Sequence, residues 1–307
     1  MFRLAWATDI HLNFLKHPGA AKMFGEYLAD ETQADALLVT GDISEAPTLE
    51  MHLEELETGF AKPVYFVLGN HDYYRGSFSE SHLMAQTFEG WLNDRIPVEL
   101  APNVALVGNE GWYDATIGNP YSERFSMSDW IAIEEIRETL QKNEDEFNVE
   151  RLSKKARAAL IELCRQRSAA LAAEAKTSLE AALKNYEWVI FATHYPPFRE
   201  ACWHEGHYSG EMWLPWFTSK LMGDTLIEVT KAHPDRKILV LCGHSHSSGT
   251  YAALPNLLVL TGEAVYGAPD LAGILHIDAT GVLARFKVNK RFVDIAPFSP
   301  RSSVRPV

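Results

Sequence analysis

Gly69-Asn70-His71-Asp72 follows the run Pro63-Val64-Tyr65-Phe66-Val67-Leu68, and the reading of this junction decides the fold. The β-branched and aromatic run reads as a buried strand. Glycine then turns the backbone at little steric cost. An amide oxygen, an imidazole and a carboxylate follow at the carboxyl end of that strand, where open α/β sheets bind ligands. Taken alone, such a stretch is more often a hydrogen-bonded turn than a site. The reading changes because four other strand-like runs end the same way.

Residues 2–8 run into Asp9-Ile10-His11, and Ala36 to Thr40 into Gly41-Asp42-Ile43-Ser44. Trp188 to Ala192 runs into Thr193-His194-Tyr195, and Lys237 to Cys242 into Gly243-His244-Ser245-His246. Asp9 and His11 are alternate residues, as are His244 and His246, so each pair shares a face in extended chain. Val104 to Val107 is a further short strand. Between these runs the apolar spacing is helical: Met23, Tyr27 and Leu28; Leu49, Leu53 and Leu56; Leu83, Met84, Phe88, Trp91 and Leu92 over about 79–94; and a helix over about 217–232. This alternation argues for a layered α/β fold. The closing runs Leu257–Leu260, Gly273–Ile277 and Val282–Val288 read as antiparallel strands of a second sheet, with a hairpin signal at Asp278-Ala279-Thr280-Gly281.

The chain of 307 residues is read as one domain, 1–307, with a helical insertion at about 112–187. Within the insertion, Leu152, Ala156, Leu160, Leu163, Leu171, Ala175, Leu179 and Leu183 predict one long amphipathic helix, or two broken near Arg167. Its basic residues Lys154, Lys155, Arg157, Arg165 and Arg167 read as a solvated face, with a cap over the site as the sharper alternative. The loop Cys202-Trp203-His204-Glu205-Gly206-His207-Tyr208, followed by Trp213 and Trp216, is either a pocket wall or an anchor for the insertion. His204 and His207 are open between substrate contact and solvation, and Arg199 reads as a surface arginine.

Apolar content of 47% and charged content of 22% are those of an ordinary globular protein. A net charge of −13 repels nucleic acid but permits a small phosphate ester held by metal ions. No apolar run approaches the roughly 20 residues that span a bilayer. Residues 1–6 enter a strand without a signal-peptide layout. Cys164, Cys202 and Cys242 are sparse and odd in number, which reads as reduced thiols in a cytoplasmic setting.

The polar strand ends assemble Asp9, His11, Asp42, Asn70, His194, His244 and His246, an oxygen and nitrogen set without cysteine. Imidazole with carboxylate suits Zn, Fe, Mn or Ni, whereas an all-oxygen set suggests Mg or Ca. Seven ligands exceed one tetrahedral site, and two ions sharing a bridging carboxylate fit better.

The order D-x-H, G-D, G-N-H-D, H, G-H-x-H, from Asp9 to His246, resembles the calcineurin-like metallophosphoesterase superfamily. The resemblance implies an α/β/β/α fold, a layered sandwich of two mixed sheets flanked by helices. It implies that Asp9, His11 and His246 hold one ion, that Asn70, His194 and His244 hold a second, and that Asp42 bridges them. His71 would donate a hydrogen bond or proton to the substrate, oriented by Asp72. A metal-bridging hydroxide would attack a phosphate ester, with a diester favoured over a monoester or nucleic acid. The competing class is a non-catalytic binding scaffold on the same fold, which should have lost ligands or the histidine; here none is missing.

Overall fold

A computed structural model describes residues 1–93, 96–122, 125–144 and 146–298. Its strands are β1 (Phe2–Ala7), β2 (Ala36–Thr40), β3 (Val64–Val67), β4 (Val98–Ala101), β5 (Val104–Gly108), β6 (Trp188–Ala192), β7 (Trp203–His204), β8 (His207–Tyr208), β9 (Lys237–Cys242), β10 (Gly249–Leu254), β11 (Leu257–Thr261), β12 (Gly273–Asp278), β13 (Gly281–Val288) and β14 (Arg291–Ile295). The helices are α1 (Ala20–Thr32), α2 (Ala46–Phe60), α3 (Phe78–Ala85), α4 (Asp129–Ala132), α5 (Glu134–Lys142), α6 (Lys154–Asn185), α7 (Leu214–Phe217) and α8 (Lys220–Ala232).

Two mixed six-stranded sheets face each other, in the orders β14-β13-β12-β1-β2-β3 and β10-β11-β9-β6-β5-β4. The central strands are apolar on both faces because each sheet is covered twice. Leu4, Trp6, Leu38, Ile190, Leu241 and Leu260 point into the space between the sheets. Their neighbours Ala5, Leu37 and Val39 face the core shared with Phe24, Leu28, Leu53 and Leu56 of α1 and α2. On the far side, Val189, Phe191 and Val240 meet Leu179 and Leu183 of α6 and Leu226 of α8. Each fully buried Leu or Ile contributes roughly 1.5–3 kcal/mol.

The closing strands depart from expectation. They do not form a sheet of their own: β11 joins the second sheet parallel to β9, while β12 pairs antiparallel with β1 and β13 and β14 extend the first sheet beyond it, each antiparallel to its neighbour. Without β12, the buried strand β1 would present unpaired backbone groups on one edge, which burial forbids. The helix expected over 79–94 also ends early, at Ala85; the last residue of that expectation, 94, lies outside the described residues. Residues 90–92 instead lie along β3, where the Phe66 N–H donates to Gly90 and the Leu92 N–H donates to Phe66, each at 2.9 Å. Backbone pairing with an open strand edge has overridden helical spacing.

Of the two forms expected for the insertion helix, the single one is present. α6 runs unbroken for 32 residues from a Ser153 cap, whose hydroxyl accepts the Ala156 N–H. Its first half packs with Trp112, Trp130 and Ile136, and its second half covers the second sheet. Among the described residues, no helix is long and apolar enough to cross a membrane.

Candidate metal centre

The strands β1, β2 and β3 are mutually parallel, as are β6 and β9. Their carboxyl ends therefore deliver five polar segments to one place, and all seven residues expected as ligands meet there. Asp9, His11, Asp42 and His246 form one group, and Asp42, His194 and His244 a second; within each group the ligating atoms lie within 4.8 Å of one another. Asp42 belongs to both. Its Oδ2 is 3.7 Å from His11 Nε2, and its Oδ1 is 3.4 Å from His194 Nε2. His246 Nε2 lies 3.3 Å from Asp9 Oδ1 and 3.2 Å from His11 Nε2. Asn70 Oδ1 and His244 Nδ1 each lie 3.2 Å from His194 Nε2.

Burying so many ionisable groups together is costly without a cation. Burial is the largest cause of every histidine shift: it holds His11 down to about 2, His244 well below its ordinary value and His194 below its own. The His11, His194 and His244 rings are neutral at neutral pH, so each keeps one nitrogen lone pair that a cation can take. His194 Nδ1 donates to the Thr40 carbonyl at 2.9 Å, which leaves Nε2 unprotonated and facing Asn70 and His244. Burial, and then the carboxylates of Asp9 and Asp72, push Asp42 well above the usual carboxyl range. Divalent cations would relieve both problems, and the oxygen and nitrogen donor set fits transition-metal ions.

The backbone is shaped for this convergence. Asp9, His11, Asp42, His244 and His246 all have left-handed φ, between 42° and 65°. Each costs on the order of 1–3 kcal/mol unless its surroundings hold it. Asp and His tolerate this region better than most residues. Two glycines allow the close approach: a Cβ at Gly69 would collide with the Asp42 carboxylate, and one at Gly243 with Asp9 and Thr8. Gly69 is thus required by packing against the neighbouring strand end.

His71 sits at the rim, with Nε2 4.0 Å from Asp42 Oδ2 and 3.5 Å from the Tyr266 hydroxyl. Burial, and then His194 and His246, lower it to about 3. Asp72 does not orient it. The Asp72 carboxylate instead accepts the N–H groups of Ile43, Ser44 and Gly69 at 2.7–2.9 Å, tying the turns after β2 and β3 together. Among the described residues His71 Nδ1 has no hydrogen-bond partner; its ring stacks on Tyr74 at 4.2 Å.

Three parts of the neighbourhood were not read from the sequence. Tyr266, on the loop after β11, lies with its ring 4.3 Å from that of His11 and 4.7 Å from that of His246; no motif marks it. Asp129 of α4 accepts a hydrogen bond from Asn70 Nδ2 at 2.9 Å. Glu110 follows β5 just as the ligands follow their strands, a signal that was available. It gathers Tyr73, His82, Asn93 and Arg167 around a buried carboxylate, and its carbonyl accepts the His194 N–H at 3.0 Å.

The aromatic loop divides. Trp216 is buried against Tyr113, Phe125 and Trp130, all within the span expected to be an insertion. Trp203 is buried on Tyr208 and against Gly249. Tyr208 and Trp213 are exposed, and Phe217 reaches the His244 ring at 4.4 Å. Arg199 pairs with Glu211 at the surface. Arg157 and Arg167 leave the expected solvated face: the first is buried over Trp130 and the second is partly buried over Phe78.

No curated protein matches the chain by sequence. Among solved structures, a dimetal phosphatase from Danio rerio superposes with a TM-score of 0.60 at 14% identity, covering 96% of this chain and 99% of that one. A phosphopantetheinyl hydrolase from Mycobacterium tuberculosis gives 0.52 at 18% identity, covering 86% and 89%. A purple acid phosphatase from yellow lupin gives 0.50 at 12% identity, covering 95% and 52%. These likenesses establish the shared fold. The sequence model described as calcineurin-like phosphoesterase matches residues 2–248. Since that span takes in all five converging strand ends, the chain belongs to the calcineurin-like phosphoesterase family and is a metal-dependent phosphoester hydrolase.

Proposed function

We propose that the chain hydrolyses a small phosphodiester at a centre of two transition-metal ions bridged by Asp42. The observation that carries the reading is the sharing of Asp42 between the two ligand groups. Asp9, His11 and His246 would complete one site; Asn70, His194 and His244 would complete the other. Ions held by these residues would supply positive charge to the phosphoryl oxygens and would lower the pKa of a water that could then act as nucleophile. His71, neutral in the free site, donates a hydrogen bond to an ester oxygen, and the Tyr266 hydroxyl is placed to share that role. An anionic ester beside the imidazole raises its proton affinity and so favours the protonated form, which can then donate to the leaving oxygen.

The preference for a diester rests on charge. Among the described residues, Asp9 and Asp42 are paired with histidines and with no Lys or Arg. A monoester dianion is best held by guanidinium forks. Neutral donors at the rim suit the single charge of a diester. The single-domain reading, with its insertion at 112–187, is supported by the continuity of α6 between two of the cores.

Elemental analysis of metal-loaded protein, paired with hydrolysis of p-nitrophenyl phosphate and bis(p-nitrophenyl) phosphate, tests this. Two ions per chain are expected, with Asp42→Ala depleting both and His11→Ala mainly one. The diester should turn over faster. One ion or fewer in well-loaded wild type would overturn the dinuclear reading, and faster turnover of the monoester would overturn the substrate class.

A further inference from the structure

Asn70 carries a donor and an acceptor on one amide, and only the oxygen can bind a cation. The amide must therefore be held one way round. Both hydrogen bonds from Asn70 Nδ2 go to groups behind the site: the Tyr74 hydroxyl at 3.1 Å and Asp129 Oδ1 at 2.9 Å. Tyr74 in turn donates to the same Asp129 oxygen at 2.5 Å. Donors and acceptors match throughout this triangle. A flipped amide would set its oxygen against the Asp129 carboxylate and its N–H groups toward the metal site. Asn70 and Asp129 are buried, so water cannot substitute for a lost partner.

We propose that Asp129, supplied by the insertion, is a positioning residue that locks the Asn70 amide with its oxygen toward the ion shared with His194 and His244. This inference rests on the two-ion reading above. The arrangement is an amide counterpart of the carboxylate–histidine pairs that orient metal-binding imidazoles, whose loss costs about 10–100-fold in metal affinity. The carboxylate also polarises the amide and strengthens its oxygen as a donor to a cation. The insertion thereby enters the metal centre from behind. Asp129 lies on α4, whose Trp130 is buried against Trp216 and Phe125, so the anchor of the aromatic loop also fixes the carboxylate.

The test is a double-mutant cycle on metal affinity. Apo-protein is titrated with Mn²⁺ by calorimetry for wild type, Asp129→Asn, Asn70→Ala and the double variant, each checked for native near-ultraviolet circular dichroism. Asp129→Asn removes the charge and puts a second amide opposite Asn70. It should weaken one of the two binding events at least tenfold and leave the other within about twofold. In the Asn70→Ala background it should change nothing, because the residue through which it acts is gone. Should Asp129→Asn fail to fold, Tyr74→Phe replaces it in the same cycle, with the same loss of additivity expected. Unchanged affinity in the folded single variant, or an equal effect in both backgrounds, overturns the proposal. A wild type that binds fewer than two ions would instead overturn the two-ion reading, so the two failures are distinguishable.

Discussion

Arg167→Met probes how the long helix is fixed to the catalytic core. Arg167 donates to Glu110 Oε1 at 2.6 Å and to the Tyr73 hydroxyl at 3.0 Å, with its guanidinium 3.7 Å from the Phe78 ring centre. Its side chain is 14% exposed and that of Glu110 is 1% exposed. Burial alone would raise the Glu110 carboxyl, but His82 and then Arg167 outweigh it and hold the group below its ordinary value of 4.5. Removing one partner of a buried pair costs about 3–5 kcal/mol where the other is left unpaired, against about 0.2–1 kcal/mol for an exposed pair. Glu110 keeps Tyr73, His82 and Asn93, and methionine keeps much of the packing on Phe78, so a cost of about 1–3 kcal/mol is expected, chiefly from the lost charge partner of Glu110. A carboxyl with a depressed folded pKa adds stability above pH 4.5, and that stability disappears as pH falls through the folded value. Arg167→Met raises the folded value, so the penalty should be largest at neutral pH and shrink on acidification as Glu110 takes up a proton. Urea unfolding at pH 7.5 and pH 5.5 measures it (pH values chosen on the order of one to three units above the carboxyl range). Adding Glu110→Gln should recover about half of the loss or more, since a neutral pair has no stranded charge. A cost below about 1 kcal/mol, or a double variant as unstable as the sum of the singles, would refute the buried-pair argument.

Two further outcomes follow from the site. His71→Ala should retain its metals and lose about 10²–10⁴ in rate, with a smaller loss for esters of acidic alcohols; loss of metal in this variant would make His71 a ligand. Trp203→Ala should lower stability by about 3–5 kcal/mol, as for a buried aromatic, and reduce turnover of bulky and minimal esters alike; an unchanged melting temperature with a KM raised only for bulky esters would return the residue to the pocket wall.

The parts of the fold legible in the sequence are those where local pattern and burial agree. Residues 36–39 and 238–242 are apolar throughout because both faces of each strand are covered, and the unbroken apolar run is enough to find them. The placement of β12 beside β1 was not legible. Alternation in Gly273–Asp278 specifies a half-buried strand but not which edge it protects, and that choice depends on which backbone groups would otherwise be stranded. The end of α3 at Ala85 was hidden for a related reason. Phe88, Trp91 and Leu92 keep helical spacing while the backbone of residues 90–92 serves the edge of β3.

The same distinction governs the site. The candidate ligands stand at strand ends in short motifs, so residue type and position were enough to nominate them. Asp72 misled because adjacency in the chain suggested a partnership with His71, whereas the turn points its carboxylate at Ile43, Ser44 and Gly69. Asp129 was invisible because its partner is 59 residues away and the contact exists only once α4 has packed. Left-handed backbone at Asp9, His11, Asp42, His244 and His246 adds a constraint that no motif expresses. Each must be an adequate ligand and also tolerate a conformation that disfavours most side chains. A glutamate in place of Asp9 or Asp42 would keep the carboxylate but lengthen the reach and fit the turn less well. In this architecture the short acid is therefore selected twice, once by the cation and once by the backbone that presents it.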